Sequence, residues 1–353
     1  MPRPSRSREI DDALLRAVER HPTDLVRTVA DELELSRAAV AARVRALIET
    51  HYLQKSGTTR PRYAMGPHRQ GHAVHRLPGL AEDRVWSEDI APLLSGLPRN
   101  VIDICHHGVT EMVNNAIDHS EGRMLDVRVE RTPERVGLLI TDDGIGIFRK
   151  ITRALDLPDE RLALLELSKG KLTTDPRRHS GEGIFFTSRA FDAFQIHSGG
   201  LVFDHDAAHD DDVLFEQERI DATARGTEVA MEIEVSSTRT LKEVFDEFSS
   251  GPDDYAFAKT IVPVRLAKIG DENLISRSQA KRLMQRVDRF SKVVLDFEGI
   301  SSIGQAFADE IFRVFAAEHP LIELTAMHML PEVQQMVRRA EVARDSDAQR
   351  SLF

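Results

Sequence analysis

Residues 136–148 read VGLLITDDGIGIF. A short apolar run of strand length passes directly into Asp142-x-Gly144-x-Gly146. Glycine tolerates backbone conformations closed to other residues, so the run ends in a tight turn. A carboxylate at such a turn sits at the tip of a strand, where a flat ligand can approach the main chain. This stretch constrains the fold more than any other, because it asks for a sheet edge, a turn and a ligand together.

The neighbouring segments supply the rest of a site. TEMVNNAIDHS, residues 110–120, divides cleanly on a helical wheel at about 100° per residue. Met112, Val113, Ala116 and Ile117 fall on one side, and Glu111, Asn114, Asn115, Asp118 and His119 on the other. Any amphipathic surface helix divides in this way, so the stretch takes its meaning from its surroundings. RVWSEDIAPLLSGL and RNVIDICHHGVTEMVNNAIDHS read as helices, MLDVRVER as an alternating strand, and GTEVAMEIEV as a later strand. In HSGEGIFFTSRAFDAF, Gly181 and Gly183 open a further helix. Backbone N–H groups at such a helix start can hold phosphate oxygens.

Glu-x-x-x-Asn on a helix, then strands, Asp-x-Gly-x-Gly, and a glycine-bearing helix start resemble, in that order, the GHKL (Bergerat) ATP-binding fold. Gyrase, the ninety-kilodalton heat-shock chaperone, histidine kinases and the mismatch-repair ATPase share it. The spelling TEMVNNAIDHS is most similar to the anti-sigma-factor serine kinases, whose box is Glu-x-x-x-Asn-Ala-x-x-His. The resemblance implies an α/β sandwich over residues 81–248 that binds ATP and Mg²⁺. It casts Glu111 as the base that polarises the attacking nucleophile and Asn115 as the Mg²⁺ ligand. Asp142 would accept from the adenine amino group, supported by Thr227. Gly144 and Gly146 would let the backbone close on the nucleotide, and Gly181 and Gly183 would approach the phosphates. His119 holds a family position, but a helix-end residue serves equally well there. Residues 149–180 would form a lid whose Lys169, Lys171, Arg177 or Arg178 reaches the γ-phosphate on closure. The second glycine box departs from the family, since Gly181-Glu182-Gly183 is followed at once by Ile184, Phe185 and Phe186.

Before this region lies a differently charged head. Through Met65 there are 12 Lys+Arg against 9 Asp+Glu, or +3, whereas the remainder has 35 against 49, or −14. EIDDALLRAVERH, TDLVRTVADEL and SRAAVAARVRALIETHYL read as three helices, with Ser36 as N-cap of the third. QKSGTTRPRYAMG alternates around a glycine turn. The order resembles a winged helix-turn-helix of bacterial regulators over residues 1–65. The third helix of that fold enters the DNA major groove. Ser36, Arg37, Ala41 and Arg45 would then face bases, with Arg43 near the DNA backbone. Lys55, Arg60 and Arg62 on the wing would meet phosphates. GPHRQGHAVHRLPG follows, and its glycines, prolines and lack of periodicity read as a linker over 66–80. Its histidines have no acidic or cysteine companions at metal-ligand spacing.

SSGPDD at 249–254 reads as a second linker. Beyond it β and α segments alternate through residues 255–345, the pattern of a small, mostly parallel sheet with covering helices. VVLDFEGISSIGQAFADEIFRVF resembles STAS-type domains, and more specifically an STAS-like family of unknown function fused to such ATPases. Where STAS partners carry a phosphorylatable serine at the helix start, this chain has Gly304, Gln305, Ala306 and Phe307. Ser301 and Ser302 lie earlier, off the in-line path that phosphoryl transfer needs. The resemblance therefore implies a surface for docking a protein partner or for homodimerisation.

The fold expectation is a multi-domain α+β chain. With 353 residues, 41% hydrophobic and 30% charged, it has room for several cores. No run of ~18 apolar residues suggests a membrane span, and MPRPSRSREIDD lacks the apolar centre of a signal peptide. With Cys105 as the single cysteine, a reducing cytoplasm is the expected setting. Two functions fit: an ATP-gated DNA-binding transcriptional regulator, or a serine/threonine kinase or slow ATPase acting on a separate partner. A sensor histidine kinase fits poorly, because no long helical hairpin with a phospho-accepting histidine precedes the ATP-binding region.

Overall fold

Apolar residues recurring every three or four positions build the first unit. The computed structural model describes residues 6–172, 181–207, 211–216, 225–251, 254–269 and 272–350. Helices α1 (Arg6–Ala17), α2 (Leu25–Glu32) and α3 (Arg37–Glu49) precede a hairpin of β1 (Leu53–Ser56) and β2 (Arg62–Met65). Ser36 accepts a hydrogen bond from the Ala39 N–H and so fixes the start of α3. Leu14, Val18, Leu25, Val29, Val40, Val44 and Leu53 close a core separate from that of the remaining chain.

Residues 66–80 are not a linker. β3 (Arg69–Arg76) runs antiparallel to a later strand over eight paired positions and forms the edge of the main sheet. Polar residues suffice because His68, His72 and His75 each reach a carboxylate of the body, at Glu130 (3.2 Å), Asp126 (2.7 Å) and Asp89 (2.7 Å). Gly71 leaves the room that Leu93 fills. Helical turns α4 (Glu82–Val85) and α5 (Ala91–Leu94) lead into the long α6 (Arg99–His119). There follow β4 (Met124–Arg131), β5 (Arg135–Asp142), α7 (Ile147–Leu155), α8 (Arg161–Lys169) and α9 (Gly183–Ala190). β6 (Ala193–Ser198), β7 (Leu201–Asp206), β8 (Asp211–Glu216), β9 (Glu228–Glu234) and α10 (Leu241–Phe248) complete the unit. The strands order as β3-β4-β5-β9-β6-β7-β8 in an antiparallel sheet, with α6 across β5 and β9 and alongside α9.

Within the segment read as a second linker, the described residues pair antiparallel as β10 (Ser249–Gly251) and the start of β11 (Asp254–Phe257), and residues 252–253 lie outside the described residues. β12 (Lys259–Pro263), α11 (Arg277–Met284), β13 (Lys292–Asp296), α12 (Gln305–Asp309), α13 (Ala316–Glu318), β14 (Glu323–Met327) and α14 (Pro331–Arg350) follow. β12, β13 and β14 form a parallel sheet in that order. No described helix is long and apolar enough to cross a membrane.

One hydrophobic core runs through both larger units. Phe185 of α9 lies 4.5 Å from Phe257, which lies 5.1 Å from Phe290 of the C-terminal unit. Residues joined by one core unfold together, so hydrogen exchange in denaturant should show residues 69–340 losing protection as one unit and residues 6–65 as another. Phe257→Ala should lower the stability of the larger unit by roughly 3–5 kcal/mol. Separate exchange of 259–340 from 81–235 would refute the shared core.

Candidate functional site

The sheet dictates which side of α6 faces outward. Val109, Met112, Val113 and Ala116 are buried, which brings Glu111 and Asn115 to one flank a helical turn apart. The Asn115 Nδ2 is buried and has no hydrogen-bond partner among the described residues. Buried amides are ordinarily bonded, so an orphan facing a cavity fits a site completed by a ligand. His119 lines the same cavity, whereas Asn114 and Asp118 do not. The Glu111 carboxylate lies against Gly183 at the start of α9, so closely that a Cβ there would come within 1.9 Å of its Oε2.

β5 delivers the other end. Asp142 is its last residue and only 8% exposed. Its Oδ1 accepts from the Gly144 N–H at 2.8 Å, and its own N–H donates to the Thr227 carbonyl at 2.9 Å. The Thr227 hydroxyl accepts from the Ile147 N–H at 3.0 Å. Burial pushes the Asp142 carboxyl up to about 6, and hydrogen bonds from Gly144 and Thr227 only partly oppose it. The adjacent Asp143 has a structural task, accepting from the Arg123 and Met124 N–H groups at 2.6 and 2.9 Å. Gly144 is required by proximity, since a Cβ would meet the Ser120 carbonyl at 2.1 Å.

Between these ends lies a cavity of about 330 Å³, within the usual range for small-ligand sites. Its walls include Glu111, Asn115, His119, Asp142, Gly146, Gly181, Gly183 and Thr227, over an apolar floor that includes Ile140, Ile196 and Val229. Nearly all the sequence-derived residues thus converge. Lys169 does not. It is 1% exposed and turned away from the cavity, donating to Glu166 Oε1 at 2.6 Å and to the Gln285 carbonyl at 2.9 Å. A buried ammonium needs such partners, so it is not the cation that reaches a phosphate. Lys171 likewise donates to the Arg289 carbonyl at 3.0 Å. Residues 149–172 are not a free lid either, because α8 is buried from Leu162 to Lys169. Arg177 and Arg178 lie outside the described residues.

Sequence reasoning missed Lys150, a cation that does line the cavity. It sits one turn into α7, its Nζ donating to the His119 carbonyl at 2.7 Å and to Glu121 at 3.1 Å. Its spacing from Gly146 was the available signal. Gly226, beside Thr227, was also missed, though a Cβ there would meet the Asp142 carbonyl at 1.9 Å.

In the N-terminal unit, Arg37 and Arg45 of α3 and Lys55, Arg60 and Arg62 of the hairpin are exposed, and Ala41 is half-buried. The Ser36 hydroxyl is engaged as the cap. Arg43 departs from expectation: its guanidinium pairs with both oxygens of Asp11 in α1, at 2.9 and 2.5 Å. A bidentate pair of this kind holds the side chain inside the unit, so Arg43 is not free to contact a DNA backbone.

The Asp142 carboxyl gives a pH signature. A folded-state value near 6, above the ordinary 3.8, favours the protonated native state. Its contribution to stability is present in full below about pH 4 and is lost as pH rises through 6. The urea midpoint of the wild type, measured relative to Asp142→Asn, should therefore rise between pH 7 and pH 4. A difference that stays flat across that window would contradict the burial described here.

Comparison with known families assigns two of the three units. Residues 80–202 match the model of the histidine kinase-like ATPase domain. Residues 279–334 match that of a STAS-like domain of unknown function. No curated protein matches the chain. The chain therefore carries an ATP-binding, kinase-like ATPase domain followed by a STAS-like domain.

Proposed function

We propose that the chain binds ATP with Mg²⁺ in the cavity between α6, the β5–α7 turn and α9, and that nucleotide occupancy regulates DNA binding by the N-terminal unit. One observation carries this reading. A single cavity presents the buried Asp142 carboxylate at one end, and the orphaned Asn115 amide, Glu111 and the start of α9 at the other. Asp142 is placed to accept from an adenine amino group, while the α9 N–H groups and the Lys150 ammonium favour the phosphates. The Asn115 amide oxygen is the residue present for Mg²⁺, which when bound neutralises charge on the phosphate oxygens. Glu111 can take the proton of a water whose oxygen attacks the γ-phosphorus as the bond to the β,γ-bridging oxygen breaks. DNA would meet the exposed Arg37, Arg45, Lys55, Arg60 and Arg62.

Glu111 of α6, lying against the start of α9, also supports a second reading, transfer of the γ-phosphoryl to a separate protein docked on the STAS-like unit. The acceptor is not the start of α12, where Gly304, Gln305, Ala306 and Phe307 offer no hydroxyl.

Asp142→Asn should weaken ATP–Mg²⁺ binding by an order of magnitude or more in calorimetric titration, because a charged acceptor is lost and an NH2 donor is introduced against the adenine amino group. Unchanged affinity would place the nucleotide elsewhere. Glu111→Gln should keep ATP affinity but slow phosphate release roughly 100-fold or more. Gel shifts on genomic fragments should change with ATP, and shifts indifferent to ATP, or none, would end the gating reading. Label from the γ-phosphate on a second protein, instead of free phosphate, would favour the kinase.

A further inference from the structure

The cavity wall beside Gly181 is held from outside the ATPase domain. Leu172 and Gly181 both line the cavity, and the Leu172 N–H donates to the Gly181 carbonyl at 2.9 Å. Immediately before Leu172, Lys171 exchanges side-chain-to-carbonyl hydrogen bonds with the C-terminal unit. Its Nζ donates to the Arg289 carbonyl at 3.0 Å, and the Arg289 guanidinium donates to the Lys171 carbonyl at 3.0 Å. The Lys171 ammonium also stands 4.8 Å from the centre of the Phe290 ring. Lys171 adopts a φ of +51°, unusual for a side chain other than glycine, asparagine or aspartate. That conformation persists where surrounding contacts impose it.

Two residues back the same pattern continues. The Thr260 hydroxyl donates to the Lys169 carbonyl at 2.8 Å in a buried position, and the Lys169 ammonium reaches the Gln285 carbonyl. The Arg286 guanidinium lies 3.6 Å from Glu166. Gly170 fits against Phe257, which a Cβ there would strike at 2.6 Å. The carbonyls of Lys169 and Lys171 are thus held by the C-terminal unit, and the Leu172 N–H by the cavity wall itself.

We propose that Lys171 and Arg289 are positioning residues of the nucleotide cavity, so that the STAS-like unit completes the wall beside the phosphate end. The inference rests on the nucleotide reading and names the unit that shares in it. Gly181 and Gly183 flank the start of α9, and a displaced Leu172–Gly181 pair moves the main chain that faces the phosphates more than the Asp142 end. Coupling of this kind is reciprocal: whatever grips residues 285–290 from outside alters ATP affinity, and ATP alters that grip by the same factor.

The test uses the full chain with ATP–Mg²⁺ and AMP as probes. Arg289→Ala should weaken ATP about five- to tenfold, the lower part of the range for site coupling, while AMP affinity stays within twofold. Arg289→Lys, which retains a donor, should recover most of the loss. A uniform loss for both nucleotides, or no loss, would overturn the proposal. Lys171→Met keeps the contact with Phe290 but removes the donor, and it decides the matter if Arg289→Ala fails to fold: selective loss of ATP sustains the proposal and unchanged ATP binding refutes it. If the wild type binds neither nucleotide, the nucleotide reading itself falls and takes the inference with it. Tight wild-type binding with unaffected variants overturns the inference alone.

Discussion

The site depends on a junction where three main-chain segments meet with no side chain between them. Gly226, just before β9, lies against the Asp142 carbonyl, and Gly144 lies against the Ser120 carbonyl at the end of α6. The Ile145 N–H donates to that same Ser120 carbonyl at 2.9 Å. Each contact would be broken by a single methyl group. Together they fix the end of β5, the start of β9 and the last turn of α6 relative to one another. Asn115 lies little more than a turn before Ser120, and Thr227 follows Gly226, so locking the backbone places the polar side chains too. A site positioned by main-chain packing loses little to side-chain mobility, which matters because errors of about 1 Å in such geometry can cost 100-fold in rate.

The same close packing explains why the two larger units do not separate at a linker. α8 is buried from Leu162 to Lys169, an arrangement made possible by β12 and residues 264–267 covering one side of it. Burying Lys169 pulls its ammonium below the usual lysine range, opposed by Glu166 beside it. Removing one member of such a pair would strand the other in an apolar setting. The pair therefore commits α8 to a neighbour that supplies the Gln285 carbonyl and Arg286. The N-terminal unit has no comparable commitment. Its core is its own, and histidine–carboxylate pairs at and just before β3 tie that edge strand to the body.

What the sequence made legible was local chemistry. Glu111 and Asn115 share a helix face because four residues make about one turn. Asp142 and Gly144 share a turn two residues long, and Gly181 and Gly183 announce a helix start. Long-range pairing was not legible. Arg43 looked free because Asp11 is thirty-two positions away, and Lys169 looked exposed because Gln285 and Thr260 are farther still. Strand β3 escaped notice because its stabilising partners are charged, so neither apolar alternation nor turn chemistry distinguished it from a loop. β6 and β7 were hidden inside a stretch dominated by the glycine motif before it.

On the nucleotide reading, the electrostatics of the cavity favour joint entry of ATP and its metal. Glu111 sits against the start of α9, the place where helix geometry would otherwise welcome a phosphate. Two like charges 4 Å apart repel by about 4 kcal/mol at an effective dielectric of 20. A bare triphosphate pressed toward Glu111 would meet that repulsion with Lys150 as the one ammonium group among the described lining residues to offset it, and Lys150 already serves Glu121 and the His119 carbonyl. A divalent cation held by the Asn115 oxygen would supply positive charge at this end of the cavity and offset that repulsion. Adenine recognition by Asp142 makes no such demand, since that carboxylate lies at the other end of the cavity. Affinity for adenosine should therefore be indifferent to metal, while affinity for the triphosphate depends on it, and the two acids divide the nucleotide between them.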